Sequence, residues 1–230
     1  MTSGEQPMVA TSSESAAVPR RVLATRNTGW ARSLARRIAA AGVKPNAVSL
    51  ASVFFAGVAG AAFLVSSSVA PERRALFLIV AAATIQLRLL CNLLDGMLAV
   101  EEGLKTRTGE IFNDLPDRIA DVLILVGAGY AIPHVDAAPT LGWTAAVLAL
   151  LTAYVRVLAG SLGLRQHFIG PMAKQHRMFA LTVASLVGAL EAALGLPPRA
   201  LVVGLSAIVL GSLMTIVRRT LRMFRETDAR

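Results

Sequence analysis

Six mostly apolar stretches, separated by short polar connections, dominate this chain. A helix needs about 20 consecutive, mostly apolar residues to cross the hydrocarbon core of a bilayer. The stretches cover approximately residues 48–68, 75–100, 109–132, 141–162, 178–196 and 200–217. The pattern therefore predicts an all-α polytopic membrane protein whose six transmembrane helices form one bundle.

The composition agrees with a membrane protein and argues against a nucleic-acid-binding one. Hydrophobic residues make up 55% of the 230 residues and charged residues only 16%, which is too apolar for an ordinary globular domain. The net charge of +9 could attract nucleic acid, but the basic residues do not form a patch interleaved with aromatic residues. We therefore expect a lipid bilayer, and no nucleic acid, as a partner.

The basic residues follow the pattern that sets membrane orientation. Eighteen Lys and Arg residues lie at the two chain termini and in alternate connections, against three in the remaining connections. Cytoplasmic segments carry such an excess under the positive-inside rule. Both termini, and the polar end of the bundle described below, are predicted to face the cytoplasm.

The regions outside the spans divide the chain further. Residues 1–21 are rich in Ser, Thr, Ala and Glu and predict a disordered cytoplasmic tail. Residues 22–43 place Trp30, Leu34 and Ile38 four apart among arginines, which predicts a juxtamembrane amphipathic helix in the membrane interface. A basic tail that only fixes topology is the alternative. Residues 44–219 form the six-helix domain, and residues 220–230 form a basic cytoplasmic tail.

A polar stretch from residue 92 to residue 121 interrupts this apolar chain. Its candidate metal ligands are Asn92, Asp95, Asn113, Asp117 and Asp121. Spacings of three and four residues stack side chains on one face of a helix, so the end of one span and the start of the next should form an oxygen-lined cleft. Carboxylate and amide oxygens are the ligands that Mg²⁺ and Mn²⁺ prefer, and Gly96 and Gly109 leave room for a ligand.

A purely structural role for the same residues stays open. The carboxylates could cap helices or pair with Arg88, Arg107 or Arg118 near the membrane surface. An unpaired acid at membrane depth is costly, however, and ionisable groups there are usually functional. Five polar residues at helical spacing on two adjacent segments favour a site.

The stretch resembles the signature of the CDP-alcohol phosphatidyltransferase family, D-x2-D-G-x2-A-R-x8-G-x3-D-x3-D. The positions that align without a gap are Asn92, Asp95, Gly96, Ala99, Val100, Gly109, Asn113 and Asp117. Pro45, Asn46 and Ser49 are similar to the family's P-N-x-x-T before its first span. The resemblance extends over residues 44–219.

The resemblance implies transfer of a phosphatidyl group from a CDP-linked lipid, such as CDP-diacylglycerol, to an alcohol, with release of CMP. It implies one or two Mg²⁺ or Mn²⁺ ions, Asp117 as catalytic base, a homodimer and a bacterial inner membrane. The implied nucleotide-binding residues are Pro45, Asn46, Ser49, Gly96, Ala99 and Gly109. Those implied for an acceptor, such as a phosphorylated polyol, are Arg156, Arg165, Lys174 and Arg177.

Three positions depart from the family signature. Asn92 and Asn113 replace aspartates, and Val100 replaces the motif arginine, whose role is left open with Arg88 or Arg107 as candidates. A bacterial branch of the family has a similar arrangement with the additional acid, Asp121. The departures keep a second hypothesis open, a catalytically silent relative that binds CDP-lipid or metal. An ion or proton carrier is a third, although its acids would all lie at one membrane face.

Overall fold

The structure, a computed structural model, describes residues 28–100, 103, 108–133 and 135–229, without the side chains of residues 110 and 113. These ranges contain seven α-helices, α1 Gly29–Ala40, α2 Pro45–Ser66, α3 Pro71–Val100, α4 Gly109–Tyr130, α5 Ala138–Ser161, α6 Lys174–Ala193 and α7 Ala200–Asp228. The predicted all-α fold class is confirmed. The predicted tail 1–21 and the first part of the predicted helix 22–43 lie outside the described residues.

Local sequence signals set the helix ends. Pro45 and Pro71 are the first residues of α2 and α3, where proline has the required φ and its missing N–H costs nothing. Gly163 and Gly195 follow the last turns of α5 and α6 with φ of 67° and 66°. Glycine adopts this left-handed conformation without strain, so both helices stop there.

The six longer helices form a closed ring. Helix α2 packs on α3 and α4, α3 on α6, α6 on α7, α7 on α5, and α5 on α4, while α1 lies against α3. Because neighbouring helices along the chain run in opposite directions, the start of α2, the end of α3 and the starts of α4 and α6 meet at one end of the ring. This end contains the candidate site.

Four of these helices, α2, α3, α5 and α7, are long and apolar enough to cross a membrane. Six spans stay a prediction, because Asp117 and Asp121 in α4 and Lys174 and Arg177 in α6 reduce the apolar content of those helices. The 30 residues of α3 make a rod of about 45 Å, whereas the hydrocarbon core is about 30 Å thick. The last turns of α3 can therefore extend to the membrane surface.

Helix α1 is amphipathic, but its inner face differs in part from the predicted one. Ala31 and Ala35 are buried and pack with Leu34 and Ile38 against the end of α3. Trp30 is 54% exposed and so lies outside this packed face. Trp30 precedes Ala31 by one residue, which rotates its side chain around the helix and away from the face that packs against α3.

Glycine contacts hold the ring together around α4. A Cβ atom on Gly127 would lie 2.8 Å from the Cα atom of Gly60 in α2, and one on Gly129 would lie 2.9 Å from the Cα atom of Gly142 in α5. Real Cβ atoms do not approach backbone so closely. Small residues at such positions let helix backbones approach in membrane proteins.

A Gly127→Ala substitution should therefore destabilise the bundle. The added methyl group must push α2 away from α4, at a cost of about 1–3 kcal/mol, typical of overpacking. Thermal unfolding of the purified protein in detergent would show a lower midpoint. Gly57→Ala is the matched control, since a Cβ atom there meets nothing within 4 Å. Equal midpoints for both variants would contradict the packing described.

Candidate active site

The polar end of the ring brings α2 and α3 together through a buried hydrogen bond. The Ser49 hydroxyl donates to Oδ2 of Asp95 at 2.7 Å, and both residues are buried. Near them, Nδ2 of Asn46 lies 3.5 Å from Oγ1 of Thr108, just before α4 begins. The P-N-x-x-S segment of α2 therefore lies beside the D-G segment of α3.

Arg88 connects α3 to α4. Its side chain is fully buried, and its Nη2 atom donates to Oδ1 of Asp121 at 2.8 Å and lies 3.3 Å from Oδ1 of Asp117. A buried guanidinium is stable only with close anionic or carbonyl partners, because its desolvation is costly. Arg88 thus holds two successive turns of α4 against α3.

Asp121 also joins α4 to α6. Its Oδ2 atom accepts a hydrogen bond from Nη2 of Arg177 at 2.8 Å, and the two side chains are 1% and 2% exposed. Arg177 donates further to Oγ1 of Thr152 at 3.2 Å and to the carbonyl of Met172 at 3.0 Å. Both oxygens of Asp121 therefore bond to arginines, and the residue forms the floor of the site.

Asp117 lies one turn closer to the start of α4 than Asp121. Its Oδ2 atom is bonded by Nζ of Lys174, the first residue of α6, while its Oδ1 atom faces Arg88. The Asp117 side chain is 11% exposed and that of Lys174 is 25% exposed. This ion pair therefore lies where the site begins to open.

Four buried polar atoms on the α3 side of the site have no hydrogen-bond partner among the described residues. They are Nε and Nη1 of Arg88, Nδ2 of Asn92 and Oδ1 of Asp95, and only the last of these is an acceptor. Buried polar atoms are normally paired, so such atoms point to a missing ligand or water. The open side of Asp95 is thus the place in this site where a bound group is most expected.

A second ion-paired group lies further out. Nη2 of Arg156 and Nη2 of Arg118 donate to Oδ1 of Asp114 at 2.7 and 3.1 Å, and Arg156 also lies 5.7 Å from the ring centroid of Phe168. Arg165 is exposed and lines a small pocket. The other lining residues are Val155, Arg156, Ala159, His167, Arg219, Met223 and Glu226.

The predicted site residues thus fall into three groups. Ser49, Asp95, Asp117, Asp121 and Lys174 meet at one end of the ring. Arg156 and Arg165 share the small outer pocket. The remaining placements are Pro45 and Asn46 in the first turn of α2, Asn92, Gly96 and Ala99 in the last turns of α3, and Gly109 at the first residue of α4.

Some predicted residues have contacts that restrict their predicted roles. Arg177 is buried against Asp121 and is not exposed with the rest of the predicted acceptor group. Each oxygen of Asp121 already bonds a guanidinium, and these positive charges oppose the approach of a metal ion to this carboxylate. The side chain of Asn113 and all of Arg107 lie outside the described residues. Thr152, which bonds Arg177, was not predicted, because a threonine in an apolar helix gives no signal of a site.

The described side chains do not fit a pair of divalent ions. Within the described ranges, no three His, Cys, Asp or Glu side chains are arranged to hold a metal. The oxygens of Asp117 and Asp121 face Arg88, Lys174 and Arg177, which leaves Asp95 as the carboxylate with an open oxygen. A hard cation needs several free oxygen ligands.

No protein-family model matches this sequence. It is similar to an uncharacterized protein of Aquifex aeolicus strain VF5, with 29% identity over 179 residues, which cover 77% of this chain and 80% of the relative. The name of this relative states no activity.

Solved structures give a clearer result. The crystal structure of Mycobacterium tuberculosis phosphatidylinositol phosphate synthase with CDP-DAG bound matches with a TM-score of 0.67 and 24% identity, over 84% of this chain and 93% of that one. The chain has the fold of this synthase. The same enzyme in complex with manganese and citrate matches with a TM-score of 0.67 and 24% identity, over 84% and 88% of the chains. Its apo form matches at 0.66 and 25%, over 83% and 94%.

The structural likeness confirms the resemblance inferred from the motif. Phosphatidylinositol phosphate synthase is a member of the CDP-alcohol phosphatidyltransferase family. The helical ring therefore agrees with the fold that the residues from Pro45 to Asp121 predicted. The likeness covers the helices and does not test the role of any single residue.

Removing Arg88 should destabilise the protein strongly. An Arg88→Met variant leaves Asp117 and Asp121 without their shared buried partner, and breaking a buried ion pair costs about 3–5 kcal/mol. We expect a much lower yield of folded protein and a lower thermal midpoint. Arg165→Met is the matched control, because Arg165 is exposed. A midpoint for Arg88→Met equal to that of the control would show that the network does not support the fold.

Proposed function

We propose that the protein is a membrane-embedded transferase that moves a phosphatidyl group from a CDP-linked lipid, such as CDP-diacylglycerol, to an alcohol and releases CMP. The observation that carries the proposal is the meeting of Ser49, Asp95 and Asp117 at one end of the ring. The likeness to a synthase solved with CDP-DAG bound supports the same lipid for this site.

Asp117 is the proposed catalytic base. The acceptor hydroxyl loses its proton to this carboxylate, and its oxygen forms a bond to the phosphorus of the phosphatidyl group. The bond from that phosphorus to the CMP oxygen breaks, and CMP leaves with the electron pair. Because Lys174 and Arg88 bond Asp117, one of these contacts must loosen before the carboxylate takes the proton.

The start of α2 and the last turns of α3 are proposed to bind the nucleotide. The residues are Pro45, Asn46, Ser49, Gly96, Ala99 and Gly109. The Ser49–Asp95 hydrogen bond supports this assignment, because it holds the two segments side by side. Gly96, the next residue, has no side chain to compete with a ligand for the space beside Asp95.

The acceptor is proposed to bind toward α5 and α6. Lys174, Arg156 and Arg165 are cationic and lie near the open side of the site, so an acceptor with a phosphate group, such as a polyol phosphate, suits them. Arg177 is proposed to act from the interior by holding Asp121. Neutral alcohols are the competing acceptors in the assay below.

The cofactor and the location follow from the resemblance. Mg²⁺ or Mn²⁺ is the proposed cofactor, in keeping with the fold neighbour solved with manganese. We propose a homodimer in a bacterial inner membrane, with six spans and with both termini and the site on the cytoplasmic side. The exposed Trp30 beside exposed arginines in α1 supports a position of α1 in the membrane interface.

CMP release tests the proposal. The purified protein in detergent with CDP-diacylglycerol, Mg²⁺ or Mn²⁺ and a panel of polyols and polyol phosphates should release CMP. Asp117→Asn should lower the rate by about 100-fold or more, as expected for loss of a general base. Asp136→Asn is the matched control, since Asp136 is exposed in the loop before α5.

The enzymatic proposal would be contradicted if the wild type released CMP no faster than Asp117→Asn with every acceptor. Equal losses in Asp117→Asn and Asp136→Asn would remove Asp117 as the base.

The second candidate function is a catalytically silent relative that binds CDP-lipid or metal. The ion pairs that occupy Asp117 and Asp121 favour it, together with the amides at Asn92 and Asn113. Restoring both aspartates separates the two functions. An inert wild type and an active Asn92→Asp/Asn113→Asp double variant would support the silent relative, whereas an active wild type that loses activity on restoration would reject it.

A further inference from the structure

Among the residues that the structure describes, the charges of the candidate site balance without any added ion. Its buried or nearly buried carboxylates are Asp95, Asp117 and Asp121. Its cations are Arg88, Lys174 and Arg177, each bonded to one or two of these carboxylates. A divalent ion therefore enters a site with no excess negative charge, unlike one built from unpaired aspartates.

Among these cations, Lys174 differs in its exposure. Arg88 and Arg177 are 0% and 2% exposed and belong to the packed floor. The Lys174 side chain is 25% exposed and reaches Asp117 from the opening of the site. Lys174 therefore lies at the place from which a soluble cation would approach the same carboxylate.

The backbone of Lys174 is held firmly in place. The amide of Met172, two residues before it, donates to Oγ1 of Thr215 in α7 at 3.1 Å. Arg177, three residues after it, bonds Asp121 and Thr152. With both flanks fixed, the ammonium group is presented to Asp117 at a high effective concentration.

We propose that Lys174 is a tethered cation that takes the place of one divalent ion at Asp117. Lys174 and a divalent ion then bind this carboxylate in competition, which explains why the described donor set does not fit two metals. The amides at Asn92 and Asn113 agree with this, because a site that supplies its own cation needs fewer aspartates. The inference rests on the proposed site but not on turnover.

Manganese binding without substrate tests the competition. Full-length protein is placed in nanodiscs of zwitterionic lipid, Mn²⁺ is titrated, and free Mn²⁺ is measured by electron paramagnetic resonance. Lys174→Gln should bind Mn²⁺ about tenfold or more tightly than the wild type, a difference of about 1.4 kcal/mol. Lys174→Arg keeps the positive charge and should stay as weak as the wild type.

Lys44→Gln is the matched control. Lys44 is exposed at the start of α2, so this change removes a lysine near the same end of the ring without contact to Asp117. It should leave Mn²⁺ affinity unchanged. A gain in Lys44→Gln equal to that in Lys174→Gln would reduce the effect to general electrostatics and overturn the proposal.

Two further outcomes would overturn it. One is equal Mn²⁺ affinity in the wild type and in Lys174→Gln. The other is binding of two Mn²⁺ ions per wild-type chain, which decides the matter even where Lys174→Gln does not fold. Absence of CMP release in the assay above leaves this titration unaffected, so failure of the enzymatic proposal is distinguishable from failure of this one.

Discussion

The buried ion network around Asp121 is the interaction on which the rest of the site depends. Arg88 from α3 and Arg177 from α6 each bond one oxygen of this carboxylate, so three helices of the ring meet at one residue of α4. Desolvating such charges is costly, and in an apolar bundle they are tolerated only as a paired set. This requirement fixes the rotation of α4 and thereby turns Asp117, one turn away, toward the opening.

Tight helix packing gives that network its geometry. The backbone of α4 touches α2 at Gly60 and Gly127, and α5 at Gly129 and Gly142, near the end of the ring opposite to the ion pairs. Helix α4 is therefore held at one end by the contact of small residues and at the other by charge. The candidate site lies between elements that cannot easily move apart, which is the preorganisation that phosphoryl transfer requires.

The sequence predicted the all-α bundle and the meeting of the α3 and α4 polar ends, because apolar length and four-residue spacing are local properties. It also named Arg88, Arg156, Lys174 and Arg177 as cations near the site. It could not predict which cation bonds which carboxylate, since that depends on helix rotation, and Arg177 proved to be buried against Asp121. Thr152 and the inner face of α1 were missed because small residues in apolar helices look alike in sequence.

We infer that the cleft between Asp95 and Asp117 holds the diphosphate of a CDP-linked lipid. A crystal structure with CDP-diacylglycerol and Mn²⁺, with anomalous scattering to locate manganese, would show whether it does. We expect the diphosphate beside Ser49 and Asp95, with Lys174 still bonded to Asp117 and no manganese on that carboxylate. A diphosphate bound elsewhere would contradict the account of the site, and two manganese ions that displace Lys174 would contradict its charge balance.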